Sequence, residues 1–129
     1  MRKEIEFTAT VGRDKGRSFH IVEMSAADTE KWALQLIFAM MNAGVEIPDN
    51  VSSMGLAGLL RIGIPAIGKI PFGVAEPLLD RLMGCIKCVI SPTAMRPLVE
   101  SDIDEPLTLL QLKKAVFELH ADSLKTAAP

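Results

Sequence analysis

From Trp32 to Met41 every residue except Gln35 is apolar, and no other stretch constrains the fold as strongly. Wound as a helix, this segment carries one narrow polar stripe: Lys31, Gln35 and Asn42. Its boundaries are marked on both sides. Ser25 with Asp28 three residues on is an N-cap signature, and Glu30 adds negative charge to the first turn. Gly44 and then Pro48 supply the stop. The pattern predicts a helix from Ser25 to Asn42. A helix apolar nearly all round is buried on most sides. The chain has only 129 residues, enough for one domain with a modest core, so part of that burial is expected to come from another chain. Trp32, Leu36, Ile37, Met40 and Met41 are the candidate residues for core or self-association.

Composition points the same way. Apolar residues make up 49% of the chain and mean hydropathy is +0.28, high for a small domain with much surface per unit volume. Methionine occurs seven times and tyrosine not at all, and methionine-rich surfaces adapt to partners of irregular shape. A net charge of −2 argues against a protein whose main task is neutralising nucleic-acid phosphates or anionic lipid. The longest uncharged stretch, Trp32 to Val45, is too short to span a bilayer, and no secretion signal is visible. A cytosolic homo-oligomer is expected, with neither nucleic acid nor membrane as partner.

The remaining segments predict a mainly α fold with a short N-terminal β-hairpin, a single domain over residues 1–124 with several amphipathic or apolar helices. Ile5, Phe7, Ala9 and Val11 alternate, as do Phe19 and Ile21, around the turn-forming run from Gly12 to Gly16; this predicts a hairpin over 4–24. Residues 25–124 are then expected to be helical. A short helix over 53–61 leads into an apolar stretch rich in glycine and proline that ends at Phe72. Met54, Leu56, Leu59 and Phe72 are candidate partner contacts there. Glu76-Pro77 opens a helix on which Leu78, Leu79, Leu82, Met83 and Ile86 share helical spacing. Ser91-Pro92 and Arg96-Pro97 break the chain, a last helix covers 107–124, and 125–129 form a flexible tail.

Catalytic chemistry finds little support. Gly63 to Lys69 nearly spells a phosphate-binding loop, but Ile70 stands where a hydroxyl must reach Mg²⁺. Cys85 and Cys88 form a lone C-x-x-C at the expected end of a helix, where the dipole opposes a thiolate. Zinc would need two more ligands, and His20 and His120 are the only histidines. Ser52 and Ser53 lack the glycine-flanked elbow of a nucleophilic serine, and Glu46, Asp49 and Glu76 are scattered. Arg13, Lys15 and Arg17 form a small basic patch without interleaved aromatics. No catalytic residue, metal or cofactor is assigned, and the chain is not expected to be an enzyme.

The phrase Gly12-Arg13-Asp14-Lys15-Gly16, Phe19-His20-Ile21, Glu23-Met24, Ala27 and Glu30-Lys31-Trp32-Ala33 resembles the tail assembly chaperones of lambda-like long-tailed phages (siphophages) and prophages. The likeness continues through Ala43-Gly44-Val45, Pro48 and Met54-Gly55-Leu56-Ala57-Gly58. Weaker echoes follow at Pro77-Leu78-Leu79-Asp80, Arg96-Pro97-Leu98 and Leu119-His120. The resemblance implies a non-catalytic protein of the host cytoplasm, absent from the mature virion. It would bind and solubilise the tape measure protein while the tail tube polymerises round it. It implies that this chain is the short form, with a longer, translationally frameshifted form recruiting the tail tube protein. Two rival readings stay open: a minor virion connector or completion protein, and a small zinc or thiol protein using Cys85 and Cys88.

Overall fold

The N-terminal alternation closes into the expected hairpin. In the computed structural model, which describes residues 2–44 and 68–126 and side chains to 120, β1 (Glu4–Thr8) pairs antiparallel with β2 (Ser18–Val22). The loop between them turns through glycines at positive φ, 75° at Gly12 and 90° at Gly16. Gly12 is also a close approach: a Cβ there would stand 2.9 Å from Cγ of Glu105. Helix α1 (Ala26–Asn42) begins at the Ser25 cap, whose hydroxyl accepts the Asp28 N–H at 3.2 Å, and stops at Gly44, φ 83°.

The mainly α expectation is corrected by the second half of the chain. Helix α2 (Phe72–Met83) is followed by β3 (Ile86–Ser91) and β4 (Ala94–Pro97). These complete a four-stranded antiparallel sheet of order β1-β2-β3-β4, so the domain is a mixed α/β one. Ile86 does fall at helical spacing after Leu82, but Gly84 ends the helix and Ile86 pairs with Ile21 in the ladder. Val89 and Ile90 are β-branched residues suited to a pleated surface, and Ser91-Pro92-Thr93 is a hairpin turn rather than a break between helices. Pro97 ends β4, an edge strand, where a missing N–H costs least. Ile90 bulges out of register and is 61% exposed.

Helix α2 also starts a turn earlier than Glu76-Pro77 suggested. Pro77 lies in its second turn, where it forgoes the backbone bond to the Gly73 carbonyl. The last helix, α3 (Pro106–Thr126), has Pro106 at its first position, and the expected tail residues Lys125 and Thr126 belong to it. The short helix expected over 53–61 lies outside the described residues.

One face of the sheet is covered by helices. Phe19, Ile21 and Ile86 join Trp32, Leu36 and Met40 of α1, Leu78 and Leu82 of α2, and Leu112 and Val116 of α3 in a single core. Trp32 is the hinge of that packing. It is 2% exposed, its indole N–H donates to the Leu78 carbonyl at 3.0 Å, and its ring meets Phe117 edge-on at 6.0 Å. His120 is fully buried beside it: Nε2 accepts the Met24 N–H at 2.9 Å and Nδ1–H donates to the Val116 carbonyl at 2.8 Å. Those two bonds require a neutral ring with its proton on Nδ1.

A polar clasp joins the hairpin loop to the start of α3. The buried Asp14 carboxylate accepts the backbone N–H groups of Asp104 and Glu105, each at 2.9 Å, and an Arg17 guanidinium bond at 2.9 Å. Arg17 reaches on to the Asp102 carbonyl at 2.8 Å, and Arg96 holds both Asp102 oxygens at 2.5 and 2.7 Å.

Candidate functional site

Apolar side chains left in water are the first candidates for partner contact. The all-round apolar character of α1 resolves into two faces. Trp32, Leu36 and Met40 are buried within the chain itself, and Ile37 is half-buried against the same core. On the opposite side Leu34, Phe38 and Met41 are 38%, 57% and 56% exposed. Their spacing of four and three residues makes one stripe along the outer face. Phe72, at the start of α2, is 69% exposed. Met54, Leu56 and Leu59 lie outside the described residues.

Leu34 and Phe38 were not singled out by the sequence reading, yet the signal was there. The polar stripe of Lys31, Gln35 and Asn42 marks the solvent side of the helix, and Phe38 and Leu34 flank it. Of the two roles open to Trp32, core or self-association, it takes the core, where its indole N–H finds a partner in the Leu78 carbonyl.

Separate from this face, a groove of about 490 Å³ runs between α1 and α2. Trp32 and Leu78 form its floor, Val74 and Pro77 one wall, and Asp28, Lys31, Gln35 and Arg81 its rim. Asp28 and Arg81 pair across it at 3.3 Å, an exposed pair worth little to stability. The rim is thus polar and the floor apolar, the usual arrangement of a protein contact site.

The other motifs are absorbed elsewhere. Arg13 bonds Glu105 at 2.8 Å and Arg17 bonds Asp14 and Asp104, so two of the three cations of the basic patch are engaged by carboxylates. Gly68 and Lys69 sit in a turn and Ile70 is buried, while Gly63 to Ile67 lie outside the described residues, as do Ser52, Ser53, Glu46 and Asp49. Glu76 is exposed on α2.

Cys85 and Cys88 do not converge. Cys85 follows α2 rather than ending it, and its carbonyl accepts the Val22 N–H, extending the β2–β3 ladder. Three residues of extended chain separate the Cα atoms by about 10 Å, beyond the roughly 7 Å that a disulfide tolerates. Cys88 stands opposite Phe19 on the helix side of the sheet, whereas His20 projects to the open side. Both His120 nitrogens are committed. No group of three or more metal-ligating side chains occurs among the described residues. Burial pushes the Cys85 thiol up, with the Arg81 charge acting weakly against it. Iodoacetamide is therefore expected to label half-buried Cys88 before Cys85 in the folded protein, read by mass spectrometry of tryptic peptides. Simultaneous labelling would contradict that placement.

On the face of the sheet away from the helices, His20 lies among charged groups. Its Nδ1 bonds Glu6, its Nε2 lies 3.6 Å from Glu4, and Lys87 stands across from it in register. The Glu6 bond, and then the Glu4 bond and both charges, raise its pKa against desolvation. A raised folded pKa stabilises the fold below about 6.5, and the gain disappears as pH rises through the folded value. His20→Gln is thus expected to cost more stability at pH 5.5 than at pH 8.5 in urea titrations; equal loss at both would contradict the pairing.

No protein-family model, curated protein or solved structure matches the chain. Among the described residues, no helix is long and apolar enough to cross a membrane.

Proposed function

We propose that the protein is a non-catalytic tail assembly chaperone of a long-tailed phage or prophage. It binds the tape measure protein, keeps it soluble in the host cytoplasm, and leaves before the virion is complete. The single observation that carries this reading is the outer face of α1: Leu34, Phe38 and Met41 exposed along one stripe. It is supported by the phrase from Gly12 to Ala33 that resembles the family. A stripe of leucine, phenylalanine and methionine, with few directional polar groups, accepts partners by shape and adapts to many segments of one long chain. Self-association lets many weak contacts add along such a partner. A longer, frameshifted form would bring the tail tube protein to the same complex.

Co-expression with the tape measure protein tests this. A tape measure protein that turns soluble and co-purifies in a large complex is the expected result. A tape measure protein that stays insoluble, beside a chaperone that runs as a monomer, would contradict it. Peptide mass spectrometry of purified particles separates this reading from a virion connector: the chaperone is expected to be missing there, and a connector present.

A further inference from the structure

β1 is an edge strand whose one strand neighbour among the described residues is β2. The phase of its backbone follows from two bonds at the ends of the pair: Glu23 N–H to the Lys3 carbonyl at 3.0 Å, and Ala9 N–H to the Arg17 carbonyl at 2.9 Å. Hydrogen-bonded and non-bonded pairs alternate in an antiparallel ladder, so Ile5 and Phe7 turn their amides to β2. Glu4, Glu6 and Thr8 turn theirs outward. The carboxyl side chains of Glu4 and Glu6 are 57% and 59% exposed, and His20 touches one oxygen of each. On the helix side Ile5 is 37% exposed although its neighbour Ile21 is fully buried, so the helix layer stops short of the edge.

We propose that the β1 edge is a docking site for an extended polypeptide segment reading basic–apolar–basic, added as a fifth strand. Each basic residue stands opposite Glu4 or Glu6 and exchanges backbone bonds with it. The apolar residue between them covers Ile5. Charge complementarity selects this occupant over a second copy of the chain, because β1 paired with itself at its longer overlaps sets glutamate against glutamate. Strand β4 of a second copy fits no better. Added antiparallel, its Met95 would lie on the glutamate side and its Arg96 on the side of Ile5; added parallel, Arg96 would reach the glutamates but Pro97 has no N–H to give the edge. Open edges are surfaces for strand addition, and charge on them selects among partners. This inference is independent of the chaperone reading.

The test uses fluorescein-labelled peptides of alternating lysine and valine with the full chain, read by fluorescence anisotropy. The lysine–valine peptide is expected to bind and a glutamate–valine peptide is not. N-methylation of the lysine amides, which face β1, is expected to weaken binding about tenfold or more, while N-methylation of the valine amides leaves it intact. Glu4→Lys with Glu6→Lys is expected to reverse the charge preference, with circular dichroism showing an unchanged fold. Equal binding of the two N-methylated peptides would reduce the effect to charge attraction and overturn the proposal. No binding, or an unchanged preference in the folded double variant, would do the same. Self-association abolished by the double variant would put a second copy on the edge instead, and would also overturn it.

Discussion

Trp32→Ala is expected to destabilise the fold by about 3–5 kcal/mol, the usual cost of emptying a large aromatic site in a packed core. The side chain lies among α1, α2 and α3 at once, through the Leu78 carbonyl and the Phe117 and His120 rings. Truncation therefore leaves a cavity lined by three helices and removes a buried hydrogen bond, and rearrangement of one helix cannot fill the gap. Stabilities of small domains are commonly about 5–15 kcal/mol, so a loss of this size removes about a fifth of the total or more. Urea unfolding followed by circular dichroism measures the loss. A loss below about 1 kcal/mol would mean that Trp32 is not at the junction described. Trp32→Phe, which keeps most of the volume and loses the N–H, is expected to fall between the two.

Asp14→Asn should cost about 2–3 kcal/mol, because the amide offers one acceptor oxygen where the carboxylate offers two to buried backbone donors. Burial by itself would raise the Asp14 pKa. The N–H groups of Asp104 and Glu105, the Thr108 hydroxyl and the Arg17 charge outweigh it and hold the carboxyl below its ordinary value. Its position ahead of α3 also sets negative charge near a helix N-terminus. Asp102 follows the same logic: the Arg96 fork, assisted by the Val99 N–H and opposed by burial, brings it to about 2. Glu105 is lowered by its Arg13 bonds.

All three folded values lie below the unfolded ones, so their stabilisation is complete above the unfolded pKa values and disappears as pH falls through the folded ones. Wild-type stability is expected to drop between about pH 5 and pH 2, and Asp14→Asn to show a shallower drop. Parallel acid titrations of the two proteins check this. Curves of equal slope would mean that Asp14 is not the charged capping group of α3.

The elements most legible in the sequence were those with punctuation of their own. Ser25 and Gly44 bracket α1, and Gly12 and Gly16 bracket the first turn; each signal is local and the structure uses each as expected. Strands β3 and β4 were illegible for a physical reason. The ladder that holds Ile86 is supplied by Ile21, sixty-odd positions away in a segment that local periodicity does not sense. Pro92 and Pro97 read equally well as breaks between helices or as the ends of a short edge strand.

Of the candidate site, the segment and its solvent side were legible, the latter from Lys31, Gln35 and Asn42. The elements that cover Trp32, Leu36 and Met40 were not, because α2 and α3 lie far along the chain. The clasp was hidden too. Asp14 lies in a charged turn that resembles any solvated loop, and its partners sit some ninety residues away.

A Leu34→Asp/Phe38→Asp variant co-expressed with the tape measure protein tests the proposed partner-binding face of α1 most directly. Both positions are open to solvent, so the variant should unfold at nearly the wild-type urea concentration. The expected result is a folded variant that leaves the tape measure protein insoluble while the wild type carries it into solution. A folded variant that solubilises it as well as the wild type does would contradict a partner-binding role for α1.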